Sequence, residues 1–178
     1  YAFAALKDDG SVVTWGWDGA GSDSTSVSSD LSSGVVEIFS TDSAFAALKS
    51  DGSVVTWGDS VRGGDSSSVD LSSGVVEIFS NRYAFAALKD DGSVVTWGNS
   101  GTGGDSSSVD LSSGVVEIFS ADYAFAALKG DGSVVTWGVE NYGGDSSSVD
   151  LSSGVVEIFS THTAFAALVI VSDCDICG

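Results

Sequence analysis

A forty-residue unit recurs along the whole chain with almost no change. It reads AFAALK-x-DG-SVVTWG-xxxx-GGDSSSVDLSSGVVEIFS-xxx and restarts at Ala2, Ala44, Ala84, Ala124 and Ala164. The copies that begin at Ala44 and Ala84 differ at six positions, which fall into three short windows. A fixed period of this length is typical of repeat proteins, in which each unit buries its apolar face against its neighbours. The constant positions therefore describe a scaffold, and the variable windows describe what the scaffold displays.

The composition limits both the fold and the partners. The chain of 178 residues is long enough for one domain, and its 43% hydrophobic content argues against disorder. It carries 25 acidic against 6 basic residues, a net charge of −19 at pH 7. Such a surface repels phosphate backbones and anionic lipid, which argues against nucleic-acid and membrane-surface binding. No apolar run approaches the ~20 residues that span a bilayer, so we expect no membrane insertion.

Three segments of each unit have strand character. VVEIF and SVVTW are rich in β-branched and aromatic residues, and AFAALK is bounded by turns. The dipeptide Asp51-Gly52 and its equivalents predict a hairpin between AFAALK and SVVTWG, because glycine supplies the positive φ of a tight turn. Three residues join VVEIFS to AFAALK, which again suits antiparallel neighbours. Each unit is therefore predicted to be an antiparallel meander, with SSVDL as a candidate fourth strand.

A repeated antiparallel meander predicts an all-β, propeller-like fold with four to five blades. A β-solenoid is the alternative, although the Asp-Gly hairpin pairs strands within a unit rather than between units. The alanines of AFAAL suit close approach of neighbouring sheets, and Trp57, Trp97 and Trp137 are interpreted as core residues. Trp17 stands in the first variable window, and local packing and display are both open for it.

Ten residues of one unit follow a known pattern. They are Val36, Ile38, Ala47, Leu48, Asp51, Gly52, Val54, Trp57, Gly58 and Gly63. With them the chain resembles the repeat of the regulator of chromosome condensation family, most specifically in the segment D-G-x-V-x-x-W-G. The resemblance implies a propeller-like fold and, in general, a protein-binding role. It does not extend to guanine-nucleotide exchange or chromatin binding, because the chain has no matching functional residues and is strongly acidic.

The array is predicted to fill residues 1–171, with residues 172–178 as a tail outside the repeat. Four units and one additional AFAAL are few for a closed ring. We slightly favour closure, with residues 2–7 or 164–171 as the closing strand, because an unpaired edge invites association. An open arc completed by other copies is the alternative. Because the chain opens at Tyr1 rather than at a methionine, we expect a processed product or fragment, which weakly favours an extracellular or lumenal location; a designed array is the other interpretation.

Two variable windows are predicted to share one face. Alternate connections of an antiparallel meander lie at the same end of the sheet, so the triplet before each AFAALK lies beside the tetrad after each VVTWG. Polar, charged and aromatic loop tips on a rigid scaffold suit a recognition surface, and drift between recent duplicates is the alternative. The predicted binding residues are Trp17, Asp18, Asp42, Asp59, Arg62, Asn81, Arg82, Tyr83, Asn99, Asp122, Tyr123, Glu140, Asn141, Tyr142 and His162.

The opposite end of each meander carries an invariant loop of serines between two aspartates. Paired carboxylates with hydroxyls between them could supply oxygen ligands to Ca²⁺, although Asx turns are the simpler interpretation. The candidate calcium ligands are Asp65, Asp70, Asp105, Asp110, Asp145 and Asp150. Outside the repeat, Cys174 and Cys177 form a CxxC, for which a disulfide, a tether to another chain and a free tail are open.

These observations predict a non-enzymatic scaffold that binds a protein partner through its variable loops. His162 is the only histidine, and the many serines lack a neighbouring base, so the sequence offers no support for catalysis. No cofactor is expected apart from the calcium alternative. A lectin-like or calcium-dependent module that contacts glycan is one other hypothesis, and a structural subunit of a larger assembly is another.

Overall fold

The strands fall where the β-branched and aromatic segments predict them. The computed structural model describes residues 1–170, and in that range the chain forms thirteen short β-strands linked by turns and single-turn 3₁₀ helices. The strands are β1 (Ala2–Leu6), β2 (Val12–Gly16), β3 (Val35–Ser40), β4 (Ala44–Lys49), β5 (Val54–Gly58), β6 (Val75–Ser80), β7 (Ala84–Lys89), β8 (Val94–Gly98), β9 (Val115–Ser120), β10 (Ala124–Lys129), β11 (Val134–Gly138), β12 (Val155–Ser160) and β13 (Phe165–Val169). Within the same range no helix is long and apolar enough to cross a membrane.

The strands form five small antiparallel sheets across residues 1–170, and each follows chain order. Three sheets are complete meanders, β3-β4-β5, β6-β7-β8 and β9-β10-β11, and they are flanked by the pairs β1-β2 and β12-β13. We call these sheets blades 1 to 5 in chain order. Gly52 closes the hairpin between β4 and β5 with a φ of +79°. The hairpin and meander predictions are therefore confirmed, and the β-solenoid alternative is excluded for this part of the chain.

Every VVEIFS strand contains a β-bulge. In β3 the register shifts between Val35 and Glu37, so Val36 is an additional residue and both Val36 and Glu37 are exposed. The corresponding strands of neighbouring blades contact one another, β3 with β6 and β6 with β9. Burial, together with the nearby charges of Glu37 and Glu117, raises the pKa of Glu77. The VVEIFS strands therefore line the inner side of the array, with their glutamates facing one another as solvated strand residues.

The first four blades pack through alanines and one tryptophan per interface. Ala86 and Ala87 are fully buried, which lets neighbouring sheets approach closely. The indole of Trp97 stacks on Phe85 with ring centroids 5.1 Å apart. Its Nε1 donates a hydrogen bond across the interface to the carbonyl oxygen of Gly63 in the preceding blade, at 3.1 Å. Trp57 and Trp137 make the same contact with Gly21 and Gly103, so the prediction of core tryptophans is confirmed.

The two terminal sheets leave their outer faces uncovered. Phe3 and Trp15 of blade 1 are 61% and 52% exposed, whereas the equivalent Phe85 and Trp97 are 0% and 2% exposed. At the other end, Leu168 of β13 is exposed, whereas the equivalent Leu128 is buried. Residues 1–170 therefore form an open arc of propeller blades. The slight preference for a closed ring is wrong for this part of the chain, because neither end covers the other.

The candidate fourth strand SSVDL is not formed. Residues 67–71 make a turn in which only the end touches the sheet, where the amide of Val54 donates to the carbonyl oxygen of Leu71 at 3.0 Å. Leu71 is buried and belongs to the apolar core between blades 2 and 3. Serines and aspartates hydrogen-bond locally and compete with strand pairing, which explains the difference.

Candidate binding face

The two main variable windows lie side by side at the same end of the strands, so they share one face of the array. The amide of Asp59, the first residue of its tetrad, donates to the carbonyl oxygen of Ser43, the last residue of the adjacent triplet, at 2.9 Å. The pairs Asn99–Tyr83 and Val139–Tyr123 repeat this bond at the same distance. We call this surface the variable face: triplets 41–43, 81–83, 121–123 and 161–163, with tetrads 17–20, 59–62, 99–102 and 139–142. Its geometry follows from the meander, because each bond joins the two ends of one hairpin.

The tetrads are built on single 3₁₀ turns. The Oδ1 atom of Asp59 accepts the amide of Val61 at 2.9 Å, and that of Asn99 accepts the amide of Gly101 at 3.1 Å. Val139 has no such side-chain bond at the start of its turn. Two of the predicted binding residues, Asp59 and Asn99, therefore cap the local structure, which fixes how the rest of each tetrad is presented.

Asn81 lies inside the face rather than on it. Only 7% of its surface is exposed, and its Oδ1 accepts the amides of Tyr83 and Ala84 at 2.9 Å. Its Nδ2 donates to the carbonyl oxygen of Thr102 at 2.6 Å, joining a triplet to a tetrad. The prediction of Asn81 as a displayed residue is corrected by this position: it holds the loops together. The hydroxyl of Thr41 makes the corresponding contacts in the preceding unit.

The middle residues of the four triplets form one continuous row. The amide of Asp42 donates to the carbonyl oxygen of Arg82 at 3.0 Å, and Arg82 and Asp122 repeat this bond to the next unit at 3.1 and 3.0 Å. Side chains pair along the same row, Arg82 with Asp42 at 3.0 Å and His162 with Asp122 at 3.2 Å. The Asp42 carboxylate raises the pKa of the Arg82 guanidinium. The row borders a groove of about 560 Å³ lined by the four triplets.

Sequence reasoning placed these residues on one face but missed that they pair with each other. The partners Asp42 and Arg82 are forty positions apart, one repeat. A signal was present: the middle triplet residues read Asp, Arg, Asp, His, so acidic and basic side chains alternate at the repeat period. The pairs Arg82–Asp42 and His162–Asp122 each join two adjacent units in this way.

Arginines and tyrosines form a second cluster beside this row. The Arg62 guanidinium lies 4.9 Å from the ring centre of Tyr83, and Arg82 lies 5.8 and 5.7 Å from the rings of Tyr83 and Tyr123. Arg82 also donates to the Tyr123 hydroxyl at 3.1 Å. The rings of Tyr83 and Tyr123 are 5.5 Å apart, and Tyr142 meets Tyr123 edge-on at 4.7 Å. We call these five residues the Arg–Tyr cluster. Partial burial, the largest cause, raises the pKa of Tyr123.

The remaining predicted residues lie at the margins of the face. Trp17 is 61% exposed, with its ring edge-on to Tyr1 at 6.2 Å, so it is both packed locally and presented to solvent. Asp18 accepts a hydrogen bond from the hydroxyl of Ser22 at 2.7 Å. Glu140 and Asn141 are exposed on the last 3₁₀ turn. These residues extend the face without joining the Arg–Tyr cluster.

The aspartates at the opposite end are used within their own loops. Asp65 accepts the amide of Ser67 at 2.9 Å, and Asp70 accepts both the hydroxyl and the amide of Ser72 at 2.6 and 3.0 Å. These bonds lower the pKa of both carboxyls, chiefly through the backbone amide at Asp65 and the hydroxyl at Asp70. Asp105, Asp110, Asp145 and Asp150 repeat the pattern.

These loops are Asx turns, which is the simpler interpretation of their sequence. Residues 1–170 hold no group of three or more His, Cys, Asp or Glu side chains arranged to bind a metal ion. Calcium binding by the aspartate pairs stays a prediction. Cys174 and Cys177 lie outside the described residues.

Comparison with solved structures identifies the architecture. The ectodomain of the receptor kinase CR4 from Physcomitrella patens superposes with a TM-score of 0.60 at 17% identity, over 94% of this chain and 46% of that one. Prp20p from Saccharomyces cerevisiae gives 0.58 at 20% identity, over 97% and 49%. The CRINKLY WD40 ectodomain of the Arabidopsis thaliana receptor kinase ACR4 gives 0.57 at 15% identity, over 96% and 64%.

The fold is an RCC1-like β-propeller array. The family resemblance seen in the sequence is thereby confirmed at the level of fold, which is all that identities of this size establish. The chain spans between 46% and 64% of the length of these three proteins. A scan against protein-family models finds no match, and a search of curated proteins finds none either.

Proposed function

We propose that this chain is a non-enzymatic scaffold that binds a protein partner through its variable face. The observation that carries the proposal is the Arg–Tyr cluster. It gathers both arginines and three of the four tyrosines of the chain at one place on a surface of net charge −19. Arginine and tyrosine are enriched among the residues that contribute most to protein–protein binding.

The geometry of the cluster suits recognition. The side chains of Tyr83, Tyr123 and Tyr142 are half-buried, so each is packed on the protein and still accessible to a partner. Arg82 is held between two rings and by Asp42, which reduces the side-chain entropy that it would lose on binding. The loops stand on blades whose cores are nearly invariant, so the side chains change from unit to unit while their positions do not.

The solved relatives support a protein partner in general terms. The yeast relative Prp20p is described with binding properties towards Gsp1p and histones, and yeast RCC1 (Prp20) has been solved bound to Kap60. Gsp1p, histones and Kap60 are partners of the yeast protein. For this chain the acidic surface favours a partner whose contacting region is neutral or basic, apart from the acceptors that meet Arg62 and Arg82.

The test compares two double variants in quantitative affinity capture from an extract of the source organism. Arg82→Ala with Tyr123→Ala removes the centre of the cluster. Lys89→Ala with Ser108→Ala removes one positive charge and one hydroxyl at the opposite end of the blades and serves as the matched control. We expect partners of the unmodified chain to be retained by the control and reduced at least roughly tenfold by the cluster variant, since hot-spot truncations cost about 2 kcal/mol or more.

Circular dichroism of both variants checks that the fold is intact. Equal capture by the cluster variant and the control would show that the variable face is not the binding surface. Loss of capture in both would place the partner elsewhere on the blades or attribute the effect to altered folding.

A further inference from the structure

A groove lies beside β13, on the side where a complete blade has its third strand. It has a volume of about 520 Å³ and lies between blade 4 and β13. Val134, Thr136 and Gly143 line one side, and Phe165, Ala167 and Val169 line the other. We call it the edge groove. Within residues 1–170, β13 pairs only with β12, so its outer edge has no strand beside it.

The complete blades show what occupies this place elsewhere in the molecule. In blade 4 the third strand, β11, pairs with β10 and brings Trp137 against Phe125, with ring centroids 5.3 Å apart. The Nε1 of Trp137 donates to the carbonyl oxygen of Gly103, at 3.0 Å. Gly143 is the equivalent glycine one unit later, and it lines the edge groove.

The fifth unit keeps the other parts of this site. A Cβ atom built on Gly143 would come within 2.5 Å of the Phe165 ring, the same approach that relates Gly63 to Phe85. The ring of Phe165 therefore lies against Gly143 as the ring of Phe85, on which Trp97 stacks, lies against Gly63. Ala167 is exposed in the groove, whereas the equivalent Ala127 is fully buried.

The sequence departs from the repeat just where the third strand would begin. After Leu168 the unit reads Val-Ile-Val-Ser in place of Lys-x-Asp-Gly, so the hairpin signal is lost. Cys177 follows Leu168 at the spacing that separates Trp97 from Leu88, and none of residues 166–178 is a tryptophan. The fifth unit thus has a position for the indole but no indole of its own.

We propose that the edge groove binds an extended strand of a partner, which pairs with β13 and places a tryptophan over Phe165. The mode is β-strand addition: main-chain hydrogen bonds to the free edge give affinity, and alternate side chains enter pockets. The chemistry of the partner follows from the three filled interfaces. It carries valines at the start of the strand and a tryptophan whose Nε1 donates to the carbonyl oxygen of Gly143. The edge groove adjoins the variable face, with which it shares Asn141 and Thr163, but it contains no residue of the Arg–Tyr cluster.

A synthetic peptide of residues 91–99, DGSVVTWGN, is the probe, because it is the third strand of a complete blade. Calorimetric titration into the full chain is expected to show saturable binding of one peptide per chain. A peptide with the tryptophan replaced by alanine is expected to bind roughly tenfold more weakly or not at all, because it loses the stacking and the indole hydrogen bond. Equal affinity for both peptides would overturn the proposal.

Two variants on one strand locate the binding. Ala167→Arg fills the groove, and Ala166→Arg places the same charge on the neighbouring residue of β13, which does not line it. Both alanines are exposed, so the fold is expected to survive each change. Loss of peptide binding in the first variant alone supports the site.

Three further results would overturn the proposal. Retention of binding in Ala167→Arg would place the peptide elsewhere. Failure of the full chain to bind the peptide at any concentration would show that the groove does not accept such a strand. A dimer in sedimentation that the peptide dissociates would assign the groove to a second copy instead.

Discussion

At Gly63 the backbone has a φ of +103°, and its carbonyl oxygen receives the indole hydrogen bond of Trp97. A Cβ atom at this position would lie 2.5 Å from Cδ2 of Phe85. We therefore expect Gly63→Ala to lower the free energy of unfolding by roughly 1–3 kcal/mol, because alanine is strained at this φ and displaces a buried ring. Urea unfolding followed by tryptophan fluorescence measures the change.

Gly101 provides the control, because it lies in the next unit, two positions before Gly103, the equivalent of Gly63. It has no positive φ, and a Cβ atom added there would meet the Asn99 Oδ1 first, at 3.4 Å. The preceding unit carries Val61 at the equivalent place, so the repeat itself tolerates a side chain there. Gly101→Ala is expected to change the free energy of unfolding by less than about 0.5 kcal/mol. Equal losses at Gly63 and Gly101 would contradict the role given to the Trp–Gly contact.

Four strands with the same sequence, AFAAL, lie in different surroundings. β4, β7 and β10 are buried, whereas β1 lies on an open edge of the arc. Local stability follows the number of buried contacts, so the amides of β1 should exchange with deuterium faster than those of β7. Because the sequences are identical, the intrinsic exchange chemistry is the same and the difference reports the structure alone.

Hydrogen exchange with mass spectrometry can measure this if each peptide includes a variable window, which makes the identical strands distinguishable. We expect the order of protection to be β7 and β10 first, then β4, with β1 and β13 least protected. Equal protection of β1 and β7 would show that the first blade is covered in solution, contrary to its exposed Phe3 and Trp15.

The elements that the sequence predicts well are those determined locally. β-branched residues and the Asp-Gly turns define the strands and hairpins, and the meander then places the triplets beside the tetrads. Contacts across units are harder to foresee. The sequence predicts Asn81 to be an exposed polar loop residue. It is buried instead, and its Nδ2 donates to the carbonyl oxygen of Thr102 in the neighbouring unit. The open ends of the arc also depend on how successive blades pack, which no single unit encodes.

Most acidic side chains of the array have no basic side chain to pair with, because the chain has 25 acidic and only 6 basic residues. The few ion pairs, such as Arg82 with Asp42, lie at the surface and are individually weak. The glutamates of the inner strands face one another, and burial first, followed by the charges of Glu37 and Glu117, raises the pKa of Glu77. With a net charge of −19, like-charge repulsion opposes the compact state at neutral pH and low salt.

Sodium chloride is therefore expected to stabilise the chain. At about 0.1 M ionic strength the Debye length is roughly 10 Å, so repulsion between exposed charges that lie farther apart than this is largely screened. The melting temperature should rise with NaCl, by about 2–4 °C for each kcal/mol of repulsion removed. Thermal unfolding followed by circular dichroism measures this, and a constant or falling melting temperature would contradict it. CaCl₂ at equal ionic strength is the control: a further rise with Ca²⁺ alone would revive the calcium hypothesis for loops such as 65–70, whereas equal curves would attribute the effect to screening.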